Sequence, residues 1–128
     1  MKKLFFIGLA ICSVAGAFSK ANAHAFLETA TPAVGSSCSC VPPSVTLRFS
    51  DDVIPAGCEV KVFDSLNHEV DQRDLHQVKG SKDLLVLSLR PIRAGKYKVI
   101  WRVTAADCGH VSQGTFSFKI DEKAKAKP

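Results

Sequence analysis

Two stretches near the C-terminal end carry an apolar residue at every second position. In the first, Tyr97, Val99, Trp101 and Val103 are interleaved with Lys98, Ile100 and Arg102; in the second, Phe116, Phe118 and Ile120 are interleaved with Ser117 and Lys119. Side chains of a strand point alternately to opposite faces, so a period of two lines one face of a sheet and cannot line one face of a helix. Residues 45–49 repeat the pattern, with Val45, Leu47 and Phe49 against Thr46 and Arg48. Residues 60–63 and the Leu/Val-rich residues 84–89 read as further strands. Pro42-Pro43, Pro55-Ala56-Gly57, Pro91, Arg93-Ala94-Gly95 and Gly114 punctuate them. No stretch sustains a 3.6-residue period, and no repeat of 20–50 residues is present. Short strands spaced by turn signals imply one all-β sandwich or barrel. Its expected core is Leu47, Phe49, Val60, Val62, Leu85, Leu87, Leu89, Tyr97, Val99, Trp101, Val103, Phe116 and Phe118. Mid-strand placement makes Trp101 a core anchor rather than a ligand-stacking residue.

Residues 1–23 stand apart from this pattern. Lys2 and Lys3 precede an apolar run over residues 4–18, and Ala21-Asn22-Ala23 supplies a small-residue exit, the layout of a secretory signal cleaved after Ala23. The run is too short to cross a bilayer core of roughly 30 Å, which weighs against a retained anchor, and no later segment is apolar enough to insert. The lysine-led start fits bacterial Sec export. Removing 23 of the 128 residues leaves 105, enough for one core. Loss of Lys2, Lys3 and Lys20 lowers the formal charge from +5 to +2. The domain is expected over residues 24–121, followed by a basic flexible tail, residues 122–128, in which Lys123, Lys125 and Lys127 alternate with alanine or proline. No basic stripe is interleaved with aromatics, so nucleic acid is not an expected partner.

The mature chain retains Cys38, Cys40, Cys58 and Cys108. An even count in a small exported domain favours disulfides, and four cysteines allow three connectivities. Cys38 and Cys40 are too close in sequence to bridge each other comfortably, so each is expected to pair with Cys58 or Cys108. The alternative is that Cys38-Ser39-Cys40 is a thiolate site for a soft metal such as Cu(I).

Cleavage after Ala23 would give His24 a free α-amine. The amine and Nδ1 of one histidine can close a chelate ring, and tetragonal nitrogen ligation suits Cu(II). Alone, His24 is equally the residue that happens to follow the exit site. Asp107-Cys108-Gly109-His110, between the Trp101 and Phe116 strands, offers a carboxylate and an imidazole, although a loop aspartate is ordinarily a turn residue. His68 and His76 flank a polar stretch and read as exposed loop or edge histidines, with a second metal as the alternative. Glu28, four residues after His24, is a candidate hydrogen-bond acceptor beside the site.

His24-Ala25-Phe26-Leu27, Thr31-Pro32-Ala33 and the segment at residues 45–50 resemble the start of the CopC-type copper resistance proteins of the bacterial periplasm. Ala94-Gly95-Lys96-Tyr97, Trp101-Arg102-Val103 and residues 110–118 resemble their end. The resemblance implies a seven-stranded Greek-key β-barrel or sandwich, cupredoxin-like or immunoglobulin-like. It also implies one Cu(II) ion held by His24, Asp107 and His110, in the periplasm, for carriage or resistance. An inner-membrane copper transporter or a periplasmic cuproprotein would be its partner. In the family one residue separates the Asp from the His; here Cys108 and Gly109 both do, which leaves open whether Asp107 or Cys108 completes the site. Family members often carry a methionine-rich Cu(I) segment, whereas the single methionine here is Met1, within the expected signal.

Three function classes follow: a copper-binding protein, a disulfide-stapled interaction module with His24 incidental, and a small copper monooxygenase-like enzyme. The last lacks room for a flat substrate face, and no nucleophile–base or paired-carboxylate pattern stands out. The His24 chelate depends on where the chain is cut. Intact-mass measurement of exported protein is expected to give residues 24–128; a mass that retains any part of residues 1–23 would remove the chelating amine from His24.

Overall fold

The computed structural model describes residues 25–126; the expected signal segment, His24 and the last two residues lie outside the described range. The alternating stretches form strands as their pattern requires. Eight strands make up the described chain: β1 (Leu27–Thr31), β2 (Ser37–Val41), β3 (Ser44–Phe49), β4 (Glu59–Phe63), β5 (His76–Val78), β6 (Ser81–Ser88), β7 (Gly95–Thr104) and β8 (Val111–Ala126), with one 3-10 turn at Pro55–Gly57. They form two four-stranded sheets, ordered β1-β3-β6-β5 and β2-β8-β7-β4. All strand pairs are antiparallel except β2 with β8. The expected all-β sandwich is present, with eight strands rather than seven. The extra count comes from short pieces such as β5, three residues at a sheet edge, which carry too few positions to show an alternation.

Every residue expected in the core is buried, and Ala25, Val45, Val53, Ala105 and Ile120 join them. The sheets meet through β3 and β7. Phe49 and Trp101 pack edge to face, centroids 5.3 Å apart at 66°. Tyr97 stacks on its β8 neighbour Phe118, centroids 5.5 Å apart, and its hydroxyl donates to the Arg93 carbonyl at 2.7 Å, tying down the turn before β7. Opposite Trp101 on β8 is Gly114. A Cβ there would lie 2.6 Å from Cζ2 of the indole, so the ring rests on bare backbone.

The structure corrects two expectations. Residues 122–126 were expected in a flexible tail, yet β8 runs on to Ala126, with Cys40 opposite Lys125 and Val41 opposite Ala126. The partner strand β2 comes from a distant part of the sequence, so the tail's own composition did not disclose it. No disulfide joins the cysteines among the described residues. Cys38 and Cys40 lie on β2, whereas Cys58 adjoins β4 at the opposite edge of the same sheet. Three strand spacings, about 14 Å in all, exceed the Cα separation a disulfide tolerates. Cys108 precedes the start of β8, while Cys38 pairs with Ile120 far along it.

One buried charged residue was not anticipated. Asp71 is fully buried; its carboxylate accepts from the Val62 amide at 2.9 Å and the Arg73 amide at 3.0 Å. Burial pushes this carboxyl up, and the two amides oppose that shift.

Filling the space under the indole should cost stability. Gly114→Ala is expected to destabilise the fold by about 1–3 kcal/mol, the range for overpacking a filled core. Urea unfolding followed by the fluorescence of Trp101, the chain's single tryptophan, reads the change. A midpoint equal to that of the parent would mean that the indole does not rest on Gly114.

Candidate metal site

One pole of the sandwich is assembled by three chain segments that are distant in sequence. The N-terminal segment enters beside the bend that follows β3: Phe26 N–H donates to Ser50 Oγ at 3.0 Å, and Ser50 N–H donates to the Phe26 carbonyl at 2.8 Å. Ala25 is fully buried, which anchors the entry point in the core. The same bend is joined to the β7–β8 loop. Ala106 N–H donates to the Asp52 carbonyl at 2.9 Å, Ile54 N–H donates to the Thr104 carbonyl at 3.0 Å, and Val53 bridges to Ala105. The first described residues, Ala25 and Phe26, therefore lie beside a bend that is itself tied to the 105–110 loop.

That loop absorbs both residues between Asp107 and His110 by a tight local turn. Ala105 N–H donates to the His110 carbonyl at 2.9 Å, and Gly109 N–H donates back to the Ala105 carbonyl at 3.0 Å. Gly109 adopts φ 73°, a left-handed conformation in which a side chain is costly. Asp107 stands in the turn and His110 at its foot, where β8 begins; both are exposed, as is Cys108. Asp107 lines an open depression of about 410 Å3 together with Ser50, Asp51, Asp52, Asp83 and Ala106. Arg48 pairs with Asp83 at 2.9 Å on a part-exposed surface. Concentrated carboxylates make the pole attractive to cations.

The expected ligands divide as follows. Asp107 and His110 share the 105–110 loop; His24 lies outside the described residues, immediately before the anchored Ala25. Among the described residues no group of three or more His, Cys, Asp or Glu side chains is arranged to hold a metal. A complete site at this pole thus needs a donor from beyond them. Glu28 is exposed on β1, next to an irregularity in its pairing with β3. His68 and His76 are not brought together: His68 Nδ1 lies 3.4 Å from Asp64, and His76 Nδ1 lies 2.7 Å from the Asp74 carbonyl. The Asp64 carboxyl is held low chiefly by the His68 amide, the electrostatics of a local turn. The sequence reading missed the acidic surroundings of Asp107. Asp51-Asp52 after a strand was a visible signal; Asp83 was not, because the pairing of β6 with β3 brings it to this pole.

A two-sheet sandwich that gathers its N-terminal entry, an acidic bend and an Asp/His loop at one pole is a small β-sandwich module. The family model of the CopC domain matches residues 27–121, and the chain belongs to that family. It is 28% identical over 106 residues to copper resistance protein C of Pseudomonas syringae pv. tomato, covering 78% of this chain and 82% of the relative. The crystal structure of CopC from Methylosinus trichosporium OB3b is similar with a TM-score of 0.71 and 30% identity, over 77% of this chain and 94% of that one. PcoC of Escherichia coli, described as a methionine-rich copper resistance protein, shares the fold with a TM-score of 0.66 at 24% identity, over 77% of this chain and all of its own.

Gly109 keeps the loop short enough for Ala105 to pair with His110. Gly109→Ala is expected to cost roughly 1–2 kcal/mol through the left-handed backbone and to move His110 relative to Asp107. Thermal unfolding and amide exchange at Ala105 check this; an unchanged melting temperature with full protection at Ala105 would contradict it.

Proposed function

We propose that this chain is a periplasmic copper-binding protein that holds one Cu(II) ion through His24, Asp107 and His110 and carries or sequesters it. The observation that bears most weight is the hydrogen-bonded seam in which Ser50 meets Phe26 and Asp52 meets Ala106, since it brings the chain's entry point and the 105–110 loop to one bend. The α-amine and Nδ1 of His24 would supply two nitrogens, His110 a third, and Asp107 an oxygen, a set suited to tetragonal Cu(II). The carboxylates of Asp51 and Asp52 would draw the cation toward them without ligating it. Imidazole and amine must lose their protons to bind, so uptake weakens with acid. Membership of the CopC family, with a copper resistance protein among the relatives, makes this a binding protein and not an enzyme, which sets the monooxygenase reading aside. Delivery would be to an inner-membrane copper transporter or a periplasmic cuproprotein.

The test compares mature chain beginning at His24 with chain carrying one additional glycine before it. Cu(II) titration is expected to show one tight site in the first and at least a tenfold weaker one in the second, with a different nitrogen hyperfine pattern in the electron paramagnetic resonance spectrum of the second. Asp107→Asn is expected to weaken binding while Cys108→Ser leaves it unchanged. Equal affinity of the two N-terminal forms would overturn the chelate; the reverse pattern at Asp107 and Cys108 would move the fourth donor to sulfur.

A further inference from the structure

The outer face of the sheet β2-β8-β7-β4 takes no part in the core or in the acidic pole. Tyr97, Val99, Trp101 and Val103 point inward from β7, so the residues between them project away from the core. These are Lys96, Lys98, Ile100 and Arg102, all exposed. The register sets exposed Lys61 of β4 beside Ile100, and exposed Lys119 of β8 beside Lys96. Against these cations stand Glu59, which pairs with Lys61 at 3.4 Å, and Asp121, just past the β7–β8 ladder. Positive charge therefore predominates on this face.

Two turns flank the end of the face that carries Lys96 and Lys119, and each holds an aliphatic side chain out in water. In the turn after β4, Asp64 accepts from the Leu66 and His68 amides at 2.9 and 2.8 Å, which closes the turn and leaves Leu66 74% exposed. In the turn at residues 33–36, Ser36 N–H donates to the Ala33 carbonyl at 3.0 Å, and Gly35 N–H donates to the Ser117 carbonyl at 2.7 Å. Val34, 60% exposed, thus stands beside the strand that bears Lys119. Either aliphatic alone would be ordinary surface; here both border one cationic face. Alongside the first turn, a shallow depression of about 290 Å3 is lined by Lys96, Lys98, Ser65, Asn67 and Ser117, with Asp64 and Tyr97 in its wall. Ammonium, hydroxyl and amide groups together are donors suited to a phosphate.

We propose that this face docks on the surface of an anionic phospholipid bilayer, with Lys96, Lys98 and Lys119 against the phosphates and Leu66 and Val34 dipping between the headgroups. All the cations but Arg102 are lysines, spread over three strands of an open sheet. Lysine is a point charge and not a planar fork for one carboxylate, which suits a diffuse layer of phosphates better than an acidic protein. The aliphatic tips need an apolar layer beneath a charged one, and a bilayer interface supplies it. The acidic pole lies at the other end of the ladder. Taking about 3.3 Å for each residue of β8, Lys119 is roughly 30 Å from His110. An anionic surface repels Asp51, Asp52 and Asp107, so the 105–110 loop would face away from the lipid. The docking uses none of His24, Asp107 or His110 and stands independently of the Cu(II) reading.

The experiment uses metal-free mature chain, residues 24–128, so that the apolar leader plays no part. It is sedimented with vesicles of phosphatidylcholine containing phosphatidylglycerol, and with vesicles of phosphatidylcholine alone. Wild type is expected to bind the first and not the second, and to be released as salt rises to about 0.5 M. Each basic residue near an anionic surface contributes roughly fivefold in affinity, so Lys96→Gln/Lys98→Gln should lose at least tenfold. Lys79→Gln/Lys82→Gln removes the same charge from exposed positions grouped with Asp52 at the acidic pole, and should bind as wild type does. Leu66→Trp, at an exposed turn tip, should show a blue shift in emission when the anionic vesicles are added. No binding to anionic vesicles, equal binding to neutral ones, equal loss in the two lysine pairs, or unshifted emission from Leu66→Trp would each overturn the proposal. Capture on polyglutamate without vesicle binding would overturn it too, and give the face to an acidic protein.

Discussion

Between the Gly95 and Ile120 pair and the Thr104 and Val111 pair, β7 and β8 run antiparallel through ten consecutive partners without a register shift. This ladder sets the rest of the sandwich. Its inner face carries Tyr97, Val99, Trp101 and Val103 beside Phe116, Phe118 and Ile120, all buried. A slip of one residue would turn both rows toward solvent, so burial of these side chains is what locks the register. The same register puts Gly114 under Trp101, which lets the indole lie flat enough to meet Phe49 on the other sheet. It also closes the 105–110 loop at a fixed place, because the loop is the return between the paired ends of the two strands.

From that frame the molecule becomes polar along its length. At the β7–β8 loop end, backbone hydrogen bonds join the N-terminal entry, the bend at residues 50–52 and the loop, and carboxylates from three elements converge. Toward the other end, β8 outruns β7 and takes β2 as its parallel partner, which carries the two edge thiols. Residues 24–128 contain no methionine, so cysteine is the soft sulfur donor among them.

Asp71 shows a different use of charge. Its carboxylate replaces sheet hydrogen bonds at the edge of β4, capping the Val62 and Arg73 amides, while Glu69 pairs with Arg73 at 3.0 Å at the surface. The stretch between β4 and β5 is thereby pinned to the sandwich without an apolar core of its own. His68 belongs to a local turn centred on Asp64 within this stretch, and His76 opens β5; both serve local structure.

The sequence by itself determined which residues face inward. Alternation is a local property, fixed by the two-residue period of the strand, so the thirteen expected core positions could be read directly and all are buried. Family resemblance likewise reached the CopC assignment from segments at both ends of the domain, which the match over residues 27–121 supports. What depends on pairing between distant segments was not legible. The extension of β8 through residues 122–126 needed β2, the acidic neighbours of Asp107 needed β6 beside β3, and the failure of Cys38 and Cys40 to reach Cys58 needed the strand order β2-β8-β7-β4. Composition favoured disulfides because it counts cysteines without placing them. Only the tertiary structure decides which side chains meet, because strand order and register are set by burial summed over both sheets and not by any one segment.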